Sequence, residues 1–539
     1  MKFSKIAVAL MAVCIFANGD GENAKEFRDI CQIYNILRQP IPKPTLKVGA
    51  DPTGKDGTPE DLNAATTRIF NDIKQLNVSV IQPEIAQILE YSTEQGKWQK
   101  VSTDNNKKGY FPEDDETTFE ELRHLYKKTT TDPQGEAFRK QCSLPLNERE
   151  KFRVRQVFAQ LWKTAIAKRK EILNRAAAIE NQRRTARNAA ITALYGKTFA
   201  TTSADRDAPD KALSAEPTEA GFPMTAATAM STQCKPNANV EDAPGGALVS
   251  DILCLCGADT TQGHTVCGGA LMEAMANSQE KAKGAANWAK LKPKCEALRP
   301  EQPNTLNPQT LTTAITRLFA HLGSNQQGTA AAPQDHDKLG KNSRSILGLH
   351  VLDNTRPPGC GSSSGVNTFT AAPHGACIDY QNMLANKNGI TWAGAAQQVI
   401  KELLDIDSTF SEARNYISEA QGIANQMRTI LLLVPLSGPT AAGIGQTSSK
   451  QPKQEEQNKC KAAANKTAAG CAAIDCEYDN TTKECKPKTG SENAAAGTGV
   501  NCFSHTTKDA CEAVNGDAPK DKKKVLDVLN ASARIHVSL

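Results

Sequence analysis

The sequence predicts a mainly α-helical protein: an elongated antiparallel coiled-coil or helical bundle with a disulfide-rich loop lobe, plus a small disulfide-stapled module at its C-terminal end. Three observations predict it. Apolar residues alternate three and four apart from Ala396 through Val399, Leu403, Ile406, Phe410, Ala413, Ile417, Ala420, Ala424, Met427 and Leu431 to Val434. Such a stripe repeats about every 3.5 residues, the seam of one helix wrapped on another, and at about 1.5 Å rise per residue it spans roughly 58 Å. A second uninterrupted stretch, Asn147 to Tyr195, contains no Gly or Pro. The third observation is the cysteine distribution, which places two clusters outside these helices.

Residues 1–19 read as a secretory signal: Lys2 and Lys5, an apolar run from Ile6 to Phe16, then Ala17 and Gly19 at the small-residue cleavage positions. Of 16 cysteines, Cys14 leaves with the signal, so 15 enter an oxidising compartment where disulfides are the default. The disulfide candidates are Cys31, Cys142, Cys234, Cys254, Cys256, Cys267, Cys295, Cys360 and Cys377 before residue 437, and Cys460, Cys471, Cys476, Cys485, Cys502 and Cys511 after it. Their odd number leaves at least one thiol free or paired between chains, and spacing does not choose the connectivity.

Residues 20–436 form the expected N-terminal helical domain. Ala24 to Leu37 is a short amphipathic helix carrying Cys31, and Asp61 to Tyr91 is a helical stretch broken at Pro83. In the first long helix Phe158, Trp162, Ala165, Ile172, Ala176, Ile179, Ala186, Ala190 and Ala193 form one stripe, widened by Ile166, Leu173, Ile191 and Leu194. Arg169 and Arg183 take the remaining seam positions, where a cation costs stability but fixes register or oligomer state. Gly196 follows as a helix stop. Residues 197–390 mix Gly, Pro, Thr and Asn with seven cysteines, which predicts short helices and loops rather than one sheet. Two long helices about 200 residues apart then pair as an antiparallel hairpin with this lobe at one end.

Residues 437–459 are rich in Gly, Pro, Ser and charge and read as a flexible linker. Residues 460–515 hold six cysteines, too small a module to fold on its core alone. Residues 516–539 form an atypical tail. No apolar run after the signal reaches the about 18 residues of a membrane span. The formal charge of +5 falls to +3 without Lys2 and Lys5, too weak a bias to argue for nucleic acid.

Motifs of catalysis and metal binding fail their context tests. Gly361-Ser362-Ser363-Ser364-Gly365 matches a nucleophile elbow on paper, but no apolar strand precedes it and no ordered triad can be assembled with His374. Gly49 to Asp56 lacks the hydroxyl residue of a phosphate loop, and Pro52 removes an amide from the cradle. Cys254, Cys256, His264 and Cys267 have zinc-ligand types, yet disulfides compete for those thiols in a secreted chain. The chain is therefore expected to have no enzymatic activity, no cofactor and no metal. N-glycan acceptors are Asn77, on a helix face, and Asn465 and Asn480 within the small module; Asn530 lies in the atypical tail.

The order of these features resembles the variant surface glycoproteins of African trypanosomes. An early Asn23, Phe27, Cys31 spacing, two very long helices, a cysteine-bearing lobe between them and a glycosylated C-terminal cysteine module carry the likeness. It covers residues 1 to about 524, with a B-type N-terminal domain; CKAAANKTAAGCAAIDCEYDNTTKECKPK followed by CFSHTTKDACEAVNGDAPKDKKK is its most specific part. The resemblance implies a structural surface-coat glycoprotein, a homodimer standing among neighbouring coat proteins, GPI-anchored at the outer face of the plasma membrane, and replaced to evade host antibodies; the Ala-rich seams with Arg at core positions fit a dimer or a trimer. It also implies O-linked sugar on serines of a distal loop, here Ser362, Ser363 and Ser364. The competing reading is a related helical-stalk receptor for a host nutrient or serum protein, which requires a concave, partly apolar site. After Lys524 the run VLDVLNASARIHVSL does not meet the anchor rule, so a frameshifted or incomplete reading frame is expected, its product secreted or retained.

Overall fold

The computed structural model describes residues 21–48, 57–90, 96–111, 115–237, 240–259, 265–268, 272–276, 278–298, 305–328, 343–352, 358–363, 374–386, 389–436, 467–473, 476–479 and 483–487. In chain order the principal elements are helix α1 (Ala24–Leu37), strands β1 (Leu46–Val48) and β2 (Thr58–Glu60), and helices α2 (Leu62–Val78), α3 (Pro83–Glu90) and α4 (Glu116–Thr130). The long α5 (Glu148–Tyr195) follows, then α6 (Leu248–Cys256), α7 (Glu280–Ala297) and α8 (Pro308–Phe319). Strands β3 (Gln326–Gly328), β4 (Ile346–Leu352) and β5 (Gly375–Asp379) precede the second long helix, α9 (Thr391–Leu433); α10 (Ala468–Ala473), β6 (Cys476–Asp479) and β7 (Glu484–Pro487) complete the order. The chain divides into two compact units, Met1–Phe70 with Ala165–Gly422, and Asn71–Thr164 with Ile423–Leu539.

The fold is mainly helical, as the periodicity predicts, and both stripes lie where the spacing puts them. Asn147 opens α5 with a reciprocal cap: its Oδ1 accepts from Glu150 N at 2.9 Å while Glu150 Oε2 accepts from Asn147 N at 2.8 Å. Gly196 closes it at φ +86°, and a Cβ there would collide with the Asp242 carboxylate. Of the twelve stripe residues from Ala396 to Val434, eleven are buried and Phe410 is half-buried, which makes this face the packed one.

In the first unit the long helices run antiparallel. Lys168 pairs with Glu419 at 2.5 Å, Arg175 with Glu412 at 3.0 Å, and Gln182 donates to Thr409 at 3.2 Å, so rising numbers on α5 meet falling numbers on α9. These exposed pairs flank the seam and add little stability; burial of the apolar stripe holds the helices together.

Two expectations on α5 are corrected. Leu173 is 40% exposed and does not widen the stripe. Arg183 is buried, but it clamps the segment after α1 instead of setting register with α9: it donates to Ile41 O at 2.8 Å and Pro42 O at 3.2 Å, and pairs with Asp210 at 2.5 Å. One turn on, the buried Arg187 donates to the carbonyls of Gln39, Pro209 and Lys211. Burial lowers the Arg187 pKa to about 10, with Arg183 adding to the effect and Asp205 opposing it. A long side chain that reaches backbone carbonyls satisfies groups that loops would otherwise bury unpaired.

A third correction concerns residues 197–390, which contain a three-stranded sheet of order β3-β4-β5, parallel between β3 and β4 and antiparallel between β4 and β5. All seven residues of β4, ILGLHVL, are buried, and a continuous apolar run of that length suits a strand covered on both faces as well as it suits a helix. Beside the sheet, Asn307 and Thr310 form a capping box on α8, with Pro308 in its first turn.

The second unit has its own core. Ile81, Ile85, Ile88 and Leu89 pack with Val101, Phe111, Phe119, Leu122 and Tyr126, and the Phe111 and Phe119 rings meet edge to face at 5.0 Å. Arg155 reaches across to the carbonyls of Val80 and Ile81, both at 3.0 Å, where Pro83 breaks the expected helix in two. Within the small module α10 and the antiparallel β6–β7 hairpin close around Cys471, Cys476 and Cys485, with Tyr478 against them.

Candidate functional site in the disulfide-tied lobe

The lobe is assembled on α1. At its start Asn23 is fully buried and uses every side-chain hydrogen-bonding group it has. Nδ2 donates to Leu255 O at 2.6 Å and Ala376 O at 2.7 Å; Oδ1 accepts from Leu349 N at 2.8 Å and from Asn325 Nδ2 at 2.9 Å. One amide thus joins α1 to the end of α6, to β4, to β5 and to the turn before β3. Gly348, next to the bonded Leu349, has φ +101°, and a Cβ there would lie 2.7 Å from both Ala376 O and Leu255 Cδ2. Only glycine allows the strand so close to its neighbours.

Four disulfides reinforce this junction. Cys31–Cys295 ties α1 to α7, Cys234–Cys254 and Cys256–Cys267 both anchor the C-terminal end of α6, and Cys360–Cys377 joins the segment before Ser362 to β5. In the small module Cys471 pairs with Cys485, and Cys476 is also disulfide-bonded. Cys254, Cys256 and Cys267 are therefore consumed by disulfides and are not available as thiolate ligands; His264 lies outside the described residues.

Cys142 corrects an expectation: among the described residues it is unpaired, buried in the second unit. Burial raises its pKa to about 11, so the thiol stays protonated and unreactive near neutrality. Cys460, Cys502 and Cys511 lie outside the described residues.

The serine loop is placed in part. Ser362 forms a bridge with Gly375, Gly375 N donating to Ser362 O at 2.9 Å, and its half-buried hydroxyl lies 3.3 Å from His374 Nδ1. Ser363, the central serine of the elbow-like motif, is 2% exposed, and no strand-to-helix turn carries it. No carboxylate among the described residues bonds His374, so Ser362 and His374 make a hydroxyl–imidazole contact without the third member that would orient a base. Ser364 and the phosphate-loop-like segment from Gly49 to Asp56 lie outside the described residues.

The glycan acceptors are placed unevenly. Asn77 is 1% exposed, and its Oδ1 is enclosed without a partner. The exposed helix face expected for it is not found, because Asn77 falls on the packed side of α2 near the break at Pro83. Asn465 and Asn480 lie outside the described residues, Asn480 in the connection after Asp479 and before Glu484.

One group near the site was not anticipated. Asp251, in α6, is completely buried and accepts from Tyr380 Oη at 2.5 Å, Trp392 Nε1 at 2.6 Å and Gly245 N at 2.5 Å. Its signal in the sequence is a single carboxylate inside the otherwise apolar run LVSDILCLC.

No described helix is long and apolar enough to cross a membrane. A family model described as VSG_B, trypanosomal VSG domain, matches residues 6–421. The variant surface glycoprotein ILTAT 1.21 of Trypanosoma brucei brucei is 27% identical over 266 residues, 47% of this chain and 48% of that protein. The variant surface glycoprotein YnAT 1.3 of Trypanosoma congolense is 25% identical over 241 residues, 41% of this chain and 53% of that protein. The chain thus spans about half the length of these relatives. With the family match covering α1, all of α5, the disulfide-tied lobe and α9 as far as residue 421, the chain belongs to the trypanosomal VSG domain family.

Proposed function

We propose that this protein is a structural surface-coat glycoprotein of a trypanosome, held at the outer face of the plasma membrane as a homodimer among neighbouring copies, where it shields the membrane and presents exchangeable loops to host antibody. The observation that carries this reading is the family match over residues 6–421. The packing is consistent with it: stability resides in buried stripes, a satisfied polar junction and disulfides, so loop sequences can change at little cost to the fold. Domain boundaries at 20–436, 437–459 and 460–515 follow the same reading. Antibodies raised against the lobe should label intact, unpermeabilised cells densely, and phosphatidylinositol-specific phospholipase C should release the label. A protein found only inside the cell, or sparse on its surface, would overturn the coat role.

The proposed modifications are N-glycans at Asn465 and Asn480 and an O-linked sugar at Ser362 or Ser364. The enclosed Ser363 and Asn77 are poor acceptors, since attachment needs an exposed side chain. Peptide mapping of the native protein should find deamidation at Asn465 and Asn480, but not at Asn77, after enzymatic deglycosylation. A 360–377 peptide without hexose would remove the O-glycan.

A further inference from the structure

We propose that Asp251 is a proton-operated latch which sets how tightly the first turn of α9 is held to the lobe. The carboxylate stands where four segments meet: α6, the turn at Gly245, the end of β5 at Tyr380 and the start of α9 at Trp392. All three of its donors are neutral, and no cation among the described residues pairs with it. Tyr380, also fully buried, is the titratable group that faces it. An anion buried without a counter-charge carries a large desolvation cost, which hydrogen bonds offset only in part. Burial accordingly raises Asp251 to about 7, against the opposing hydrogen bonds from Tyr380, Gly245 and Trp392.

The two protonation states demand different partners. The ionised form accepts all three bonds. A proton on Oδ2 needs an acceptor, which only the Tyr380 hydroxyl can supply by reversing its role; the Trp392 indole N–H cannot reverse. Protonation therefore loosens the Trp392 contact, and Trp392 stacks on Phe319 of α8 with ring centroids 5.7 Å apart. The global effect has the opposite sense. Because the folded pKa lies above the unfolded value of 3.8, the folded state binds the proton more tightly, and the contribution of Asp251 to stability falls as pH rises from about 4 to about 7.

The test uses the whole protein and its Asp251→Asn and Trp392→Phe variants, followed by tryptophan fluorescence and urea unfolding from about pH 5 to about pH 9. The wild type should show a fluorescence transition within about one unit of neutrality, absent from both variants, and a urea midpoint that falls with rising pH relative to Asp251→Asn. A flat wild-type profile, or the same transition in Asp251→Asn, would overturn the latch. Should Asp251→Asn fail to fold, the infrared carbonyl band of a protonated buried carboxyl in the wild type decides instead: growth of the band as pH falls through neutrality supports the latch, and its absence at about pH 5 refutes it.

Discussion

Asn23→Ala is expected to destabilise the first unit by about 3 to 5 kcal/mol, because each buried group left unpaired costs about 1 to 3 kcal/mol. The change strands the Leu255 and Ala376 carbonyls and the Leu349 amide together, in a place where water does not reach. Asn23→Asp sharpens the test. It keeps the acceptor that serves Leu349 and Asn325, but turns two donor contacts into oxygen facing oxygen, so it should be at least as damaging as alanine. Urea unfolding of the purified protein measures both. Midpoints equal to that of the wild type would show that the junction does not hold the lobe together.

Replacing Cys31 and Cys295 together by alanine should cost about 2 to 5 kcal/mol and rank as the most damaging of the disulfide deletions. The bond spans 264 residues of sequence, against 20 for Cys234–Cys254 and 11 for Cys256–Cys267, and the constraint a crosslink places on the unfolded chain grows with the loop it closes. The neighbouring packing should hold α1 near its place but less firmly: Tyr34 meets Trp288 edge to face at 5.0 Å, and its hydroxyl lies 3.3 Å from that of Tyr195. Thermal unfolding of the three paired variants checks the ranking, and the prediction fails if the Cys256–Cys267 deletion proves the more harmful.

What was legible in the sequence followed from periodicity. A stripe that repeats over many turns has only one way to bury itself, and the residues from Ala396 to Val434 and the α5 boundaries at Asn147 and Gly196 were readable for that reason. The sheet was not, since ILGLHVL is too short for periodicity to separate a buried strand from a buried helix; Gly348 was the hint that a backbone passes close by. Spacing puts Arg183 on a packed face but does not name Ile41, Pro42 and Asp210 as its partners, because periodicity shows which face is packed and not what packs there. Asn23 stood out by its spacing to Phe27 and Cys31, yet its role depends on partners brought from 232 to 353 residues away. Asp251 could have been flagged by its apolar context, whereas the pairing of the cysteines had no signal in one sequence.

The Asn23 junction carries a consequence for biosynthesis. Asn23 receives the bonds that complete its burial only when Ala376, 353 residues further on, has been made, so α1 must wait through most of the chain's synthesis before it can settle. During that interval its apolar side chains stay unburied, and pairing of Cys31 with any thiol but Cys295 would trap it. Folding of this protein is thus paced by strands made long after the helix that they complete.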